Sequence, residues 1–353
     1  MTSKDFWTGR RVLLTGQTGF KGAWLARWLG LLGADVFGFG LPPETQPNLH
    51  YLLNLTSHIG DIRNPLAVAD AVSQARPSVV IHMAAQALVR RSYRDPAGTV
   101  ATNVTGTMNL LEALRANEAV MASLAAVLVV ASDKVYRNFD DGRSFTEADP
   151  LGGYDPYSAS KAAMEVLTAS WADSFFAAVG VPVATARAGN VVGGGDWSED
   201  RLVPDLWRAV KLGKTTELRN PGASRPWQWV LDPLAGYLDY IEALAGPCGS
   251  ALPRALNFGP AADSSLTVAE AASIVLAGLG AAPVWTCTSG PQPVEAHTLA
   301  LDASLARRTL GWRPRLTSSE ALNWSVEWYR AVGEGAHPDR MTTQQIERYE
   351  ALP

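Results

Sequence analysis

Cysteine is scarce in this chain. Its 353 residues include only Cys248 and Cys287, too few for a disulfide framework or a cysteine-held metal cluster. Apolar runs such as 119–131 fall short of the roughly 20 residues a membrane-spanning helix needs. The stretch from Met1 to Arg10 is polar and carries no secretory pattern. A net charge of −4 leaves no basic excess for nucleic acid or an anionic membrane. There is no internal repeat and no low-complexity tract. These absences predict a cytoplasmic protein with no nucleic-acid partner, no membrane partner and no metal. What is present suits a globular enzyme: 47% hydrophobic residues, 18% charged residues, and length enough for two lobes sharing a cleft. Tryptophan is abundant, at twelve residues. Several fall late in the chain, where they build or line a second lobe.

Arg11 to Thr15 has the β-branched, aliphatic character of a short buried strand. Gly16-Gln17-Thr18-Gly19-Phe20-Lys21-Gly22 follows, then a helical pattern through Trp24, Leu25, Trp28, Leu29 and Leu32. Strand, glycine turn and helix start, in that order, make a phosphate site. Glycines admit the backbone to a pyrophosphate, and free N–H groups at the positive helix end stabilise its charge. The expected cofactor contacts here are Gly16, Thr18, Gly19, Phe20, Lys21 and Gly22. The second strand, from Asp35 to Phe39, ends in Gly38-Phe39-Gly40 and lacks the acid that usually holds the adenosine ribose. No arginine replaces it to favour a 2′-phosphate, which selects NAD over NADP. Asp61 and Ile62 close the next strand, where Asp61 is either an adenine contact or a satisfied turn residue.

A helix over 65–75 leads to a strand over 78–82. The small residues Ala84 and Ala85, with Gln86, then bring backbone close to a ligand. His82 reads as a packed strand-end histidine. Asp95-Pro96 opens a long helix to about Asn117, along which Asn103 is a candidate cofactor contact. The strand over 125–131 delivers Ser132, Asp133 and Lys134 at its carboxyl end, the edge where open parallel sheets bind ligands. Polar residues 137–156 read as a loop over the site. A helix from Tyr157 to Ala178 and a strand over 181–186 follow, after which the alternation of strand and helix weakens. The expected architecture is α/β: a Rossmann-type, doubly wound parallel sheet with a smaller C-terminal lobe. The nucleotide domain takes residues 1–186, with a returning segment about 228–258. The substrate lobe takes 187–227 and 259–353.

Tyr157 and Lys161 stand four residues apart, on one side of a helix. The ammonium can lower the phenol from its ordinary pKa of about 10. A phenolate so placed takes a proton from a sugar hydroxyl while a nicotinamide takes the hydride. Asp133 and Lys134 add a second acid/base couple, which plain hydride transfer does not need. We expect Lys134 to act as base and Asp133 as acid, with desolvation driving both toward their neutral forms.

Thr-Gly-x-x-Gly-x-x-Gly with Tyr-x-x-x-Lys resembles the extended short-chain dehydrogenases/reductases that modify nucleotide sugars. More narrowly, Ser132-Asp133-Lys134-Val135-Tyr136, the segment 187–197 and Asn220-Pro221-Gly222-Ala223-Ser224-Arg225-Pro226-Trp227-Gln228 are similar to the CDP-glucose branch of the 4,6-dehydratases. The resemblance runs from about Phe6 to the last helices. Ala87, where a proline is usual, and Arg137, where an acid is common, depart from it. It implies CDP-glucose as substrate, NAD as a cofactor regenerated in each turnover, and a homodimer or a tetramer built from it. It also implies a place in deoxysugar synthesis for cell-surface polysaccharide. Ser132 then hydrogen-bonds the C4 oxygen. Arg225, with its bidentate fork, is the candidate for the diphosphate. Gln86, Asn190, Arg187 and Glu295 are further substrate candidates, with a structural ion pair as the competing reading of Arg187. Rivals on the same scaffold are a 5-inverting dehydratase, a dehydratase for another nucleotide, and a 4-epimerase, which needs only the tyrosine couple.

Overall fold

The computed structural model describes residues 3–261, 264–288 and 299–353. Seven strands form one parallel sheet: β1 (Arg11–Thr15), β2 (Asp35–Gly40), β3 (His58–Ile59), β4 (Val79–His82), β5 (Ala126–Val130), β6 (Val183–Ala188) and β7 (Ala255–Phe258). Their spatial order is β7-β6-β5-β4-β1-β2-β3, with Thr15 level with His82 and Val130 level with Ala186. The order reverses between β1 and β4. A crevice opens there beyond the carboxyl ends of the strands, the usual ligand position in such sheets.

Alternation along each strand explains the three layers. Val12, Leu14, Ile81 and Leu128 enter one buried cluster, while Leu13, Val80, Val127 and Val129 enter the other. Both faces are apolar because helices cover both. The helices that position the site are α1 (Phe20–Leu31), α2 (Pro65–Ala75), α3 (Gly106–Arg115), α4 (Pro156–Trp171), α5 (Leu202–Lys211) and α6 (Leu231–Leu244). Preceding turns at Pro96–Val100 and Ala101–Thr105 lead into α3 from an N-cap at Asp95. The long helix expected from Asp95 is therefore present, widened to π geometry around Asn103. Helix α4 starts on Pro156, whose missing N–H is no loss in a first turn. The Asp155 carboxylate caps it by accepting from Ser158 N (3.0 Å).

The later segments α7 (Val268–Gly278), α8 (Ser318–Gly333) and α9 (Pro338–Glu350) pack beside the sheet on an aromatic core. Nine of the twelve tryptophans are buried. Trp229 makes edge contacts with Trp24 of α1 and Trp324 of α8, both at 5.6 Å. Trp328 of α8 packs so closely on Gly194 that a Cβ there would stand 2.0 Å from its ring. These rings join the late helices to the nucleotide-binding half. Residues 137–156 are not wholly loop. Ser144–Phe145 pairs in parallel with Ala300–Leu301, because Phe145 is buried and stacked on Tyr136 (4.9 Å, 9° between planes). Among the described residues, no helix is long and apolar enough to cross a membrane.

Candidate active site

The glycine turn is built for close approach. Gly16 has φ +76°, and a Cβ on it would lie 2.6 Å from Ala84 N. A Cβ on Gly22 would lie 2.2 Å from Gly16 O. The first bond of α1 runs from Ala23 N to Gly19 O (2.9 Å). The N–H groups of Phe20, Lys21 and Gly22 therefore remain open to an anion at the positive helix end. No acidic residue occupies that first turn. At the end of β2 the side chain of Gln17 lies against Gly38 and Gly40. It is 1% exposed, and both of its amide atoms lack partners. An orphaned amide, glycines in place of the usual acid, and an uncapped helix start together fit a dinucleotide. Gln17 is a residue that sequence reasoning passed over; the signal was the Gly-Phe-Gly strand end that leaves it room.

His82 is locked between two threonines, with Nδ1 2.7 Å from Thr15 Oγ1 and Nε2 2.9 Å from Thr107 Oγ1. The Thr107 hydroxyl donates to Asn103 O (2.7 Å), so the network assigns Nε2–H to the imidazole. Burial, with the nearby Lys161, pushes its pKa down to about 3, so it stays neutral and structural. Thr15 Oγ1 also accepts from Met83 N and Ala84 N (both 3.1 Å), which sets the strand-to-loop bend beside the glycine turn.

Asn103 departs from its expected cofactor role. Its side chain is buried, accepting from Gln86 N (2.8 Å) and donating to Gln86 O (3.0 Å) and Ser160 Oγ (2.9 Å). It fastens the ligand-facing loop to α4. Gln86, expected to reach substrate, spends its side chain on Leu88 and Thr99 in this structure. Asp61 is held by Arg63, with Oδ2 2.6 Å from Nη2, which favours the turn-residue reading. Ile62 is buried against Gly106 of α3.

The structure brings Ser132, Asp133, Tyr157 and Lys161 together at the end of β5. Ser132 Oγ donates to Asp133 Oδ1 (2.9 Å) and accepts from Lys134 N (3.2 Å), starting the tight turn Asp133–Val135. Asp133 is 3% exposed and fits only because residue 189 is glycine; a Cβ there would stand 2.0 Å from Oδ2. Lys134 is half-buried on the same turn. Lys161 donates to Val130 O (3.0 Å), and burial pushes it down to about 8 against the attraction of Glu165. For Tyr157 the expected lowering does not occur. Burial raises the phenol above its ordinary value, outweighing a hydrogen bond with Ser132 that favours the phenolate. The Lys161 ammonium is engaged by a backbone carbonyl, so the phenolate has to be favoured by charge arriving with ligands.

A second lysine completes the cluster. Lys21 donates to Tyr237 OH of α6 (3.1 Å) and lies over that ring (5.1 Å). Burial and the cations Lys161 and Arg201 push it down to about 7, while Asp133 opposes them. Arg201 also donates to Ala87 O (3.2 Å). Sequence spacing carried no signal for Tyr237 or Arg201 at this site.

Arg187 is corrected to its competing reading. It is 4% exposed and grips Glu165 of α4 through Nε (2.9 and 3.0 Å), while Nη1 donates to Tyr136 OH (2.6 Å). Tyr136 in turn donates to Asn257 Oδ1 (2.7 Å). With its fork committed, Arg187 positions the site from beneath and offers substrate nothing. Asn190, at φ +25°, keeps a buried Nδ2 without a partner. Arg225 is 8% exposed on the short strand Ser224–Arg225 and donates to Ser224 O (2.9 Å). Glu295 lies outside the described residues. Trp227 and Trp229 are buried in the core.

Residues 12–251 match the model of the NAD dependent epimerase/dehydratase family. The CDP-glucose 4,6-dehydratase of Salmonella typhimurium is 41% identical over 340 residues, 94% of this chain and 93% of its own. The dTDP-glucose 4,6-dehydratase 1 of Escherichia coli is 26% identical, covering 90% of this chain and 92% of its own. Among solved structures, the dTDP-glucose 4,6-dehydratase of Streptomyces venezuelae with NAD and TYD bound superposes with a TM-score of 0.76. It is 27% identical and covers 93% of this chain and 99% of its own.

The cradle yields a direct test. Gly22→Ala forces a methyl group into Gly16 O and should weaken dinucleotide binding at least about tenfold, ~1.4 kcal/mol. Titration calorimetry on the cofactor-free protein reads this, and an unchanged affinity would mean that the turn does not hold the diphosphate.

Proposed function

The chain belongs to the NAD dependent epimerase/dehydratase family, and on that premise we propose that it converts CDP-D-glucose to CDP-4-dehydro-6-deoxy-D-glucose and water. The observation that carries the reading is that Ser132 and Asp133 meet the α4 residues Tyr157 and Lys161 at the end of β5, with Lys134 on the same turn as Asp133. Oxidation and re-reduction at C4 need only Tyr157 and Lys161, so Asp133 and Lys134 favour dehydration over epimerisation. Cytidine rests on the 41% identity to the Salmonella enzyme.

The cradle of Gly16, Gly19 and the first N–H groups of α1 would hold NAD, which would supply a reversible two-electron acceptor for the hydride exchanged with the sugar. The protein handles protons. Tyr157 takes the C4 hydroxyl proton, and Ser132 bonds the C4 oxygen. The ketone acidifies the C5 hydrogen, because the carbanion delocalises as an enolate. Lys134 removes that proton, and Asp133 protonates the departing C6 hydroxyl. Lys134 then returns a proton to C5. Burial of the turn keeps bulk water from competing for the reactive ketone-stage sugar. We assign the nucleotide-sugar lobe to 187–227 and 259–353, with Arg225 and Asn190 on the substrate and the cytoplasm as the place of action.

Incubation with CDP-, dTDP-, GDP- and UDP-glucose should give a 4-keto-6-deoxy product from the CDP-sugar. Asp133→Asn and Lys134→Ala should each lower kcat by about 10²–10⁴-fold. Preference for another nucleotide overturns the specificity, and undiminished variants overturn the mechanism.

Lys161 sets an alkaline limit. Its ammonium is present below about pH 8 and lost above it, so kcat/KM, which reports the ligand-free protein, should fall as pH rises through that value. Lys161→Arg, a permanent cation, should be slower but move the alkaline limb upward; a limb that stays put assigns it to another group.

A homodimer is the expected assembly, through the faces of α3 and α4. Sedimentation at micromolar concentration checks it, and a monomer there removes it.

A further inference from the structure

Gln228 closes the segment Arg225-Pro226-Trp227-Gln228, and the proposed reaction gives it no part. It is fully buried, on a two-residue strand, Gln228–Trp229, that runs parallel to Val191–Val192 beyond the end of β6. Its Nε2 donates to Gly189 O (2.7 Å) and to Phe258 O (3.2 Å), and its backbone N–H donates to Asn190 O (3.2 Å). Both side-chain partners are carbonyls, which assigns the amide nitrogen to that side. Ala188 and Phe258, the last residues of β6 and β7, stand level, so one amide bridges two strand ends and fixes the backbone at 189. The mount is rigid. Ser318 Oγ of α8 donates to Trp227 O (2.6 Å), and Trp227 and Trp229, on either side of Gln228 in the chain, are both buried.

Gly189 in turn walls Asp133. A Cβ at 189 would stand 2.0 Å from Asp133 Oδ2 and 2.5 Å from its Cγ, so the carboxyl group lies directly on this backbone. Ser132 Oγ sets the other oxygen, donating to Oδ1 at 2.9 Å. The backbone at 189 therefore decides how far the carboxyl group can swing, and the Gln228 amide decides where that backbone stands. We propose that Gln228 is a positioning residue for the elimination, holding Gly189 as the wall that aims Asp133 at the C6 hydroxyl. The inference rests on the dehydration proposed above and adds no chemical step to it. Tyr157 and Lys161 ride on α4, where Lys161 is held by Val130 O (3.0 Å), and the Gln228 amide spends its donors elsewhere. Removing that amide should disturb the elimination and spare the oxidation at C4. A reacting group displaced by about 1 Å can lose about 10²-fold in rate. A merely structural amide, by contrast, would weaken both steps together.

Gln228→Leu removes the side-chain donors at similar volume. When the NAD-loaded variant is mixed with CDP-glucose, 4-keto-6-deoxy product should form at least about tenfold more slowly than in the wild type. Oxidation at C4 should continue, so the absorbance of reduced nicotinamide should rise toward the site concentration and persist. Asp133→Asn should give the same trace. KM should stay within about twofold, because Asn190 is held through the backbone N–H of residue 228, which leucine keeps. Calorimetry should find the NAD affinity of Gln228→Leu unchanged. If that variant loses the affinity, Gln228→Met, whose flexible thioether adapts to the same space, carries the test. Wild-type product rates in the variant overturn the positioning. So does a loss of oxidation equal to the loss of product, with no reduced nicotinamide accumulating. A wild-type chain that dehydrates CDP-glucose alongside either result leaves the dehydratase reading standing. One that dehydrates no sugar removes the reaction and the positioning with it.

Discussion

The buried pair between Arg187 and Glu165 is the constraint on which the site depends. Both side chains are almost wholly out of water, at 4% and 3% exposure, where an ion pair is a poor source of stability. Replacing such a pair with apolar side chains is often neutral, whereas removing one partner costs about 3–5 kcal/mol. Its value here is registry. Glu165 lies one helical turn beyond Lys161 on α4, and Arg187 sits on β6. Through Tyr136 the pair reaches the turn that follows Asp133 and Lys134, and through Asn257 it reaches β7. One polar network thus fixes the helix with the tyrosine couple relative to the turn with the aspartate.

Electrostatics above that network follow from burial more than from any single partner. Lys21 and Lys161 are both buried, so each holds its proton less firmly than in water, and for Lys21 the neighbouring cations Lys161 and Arg201 add to that effect. Burial also keeps the Tyr157 phenol protonated. An accumulation of positive charge with an unionised phenol suits a protein whose ligands bring diphosphate groups.

What the sequence disclosed was whatever depends on near neighbours. The alternation of apolar residues disclosed the strands, and the glycine turn before Phe20 disclosed the cradle. The spacing of Tyr157 and Lys161 disclosed a shared helix face. Contacts between distant segments stayed hidden. Lys21 meets Tyr237 across 216 residues, and no periodicity joins them. Arg187 could equally have faced ligand or core until Glu165 was seen beneath it. Asn103 looked like a cofactor ligand because it lies along a helix near the cleft, but the widened turn around it directs its amide to the loop backbone. The tryptophans were visible as a count, while their grouping around Trp229 is a property of the folded chain alone.

The fit of Asp133 against Gly189 has a consequence for how this chain can change over generations. The carboxylate occupies the volume a side chain at 189 would need, so the two positions behave as a single inherited character. A mutation from glycine to alanine at 189 touches no ionisable group, yet it evicts the carboxylate. A lineage can abandon the aspartate first and then fill position 189, but the reverse order passes through a chain with both groups and room for only one.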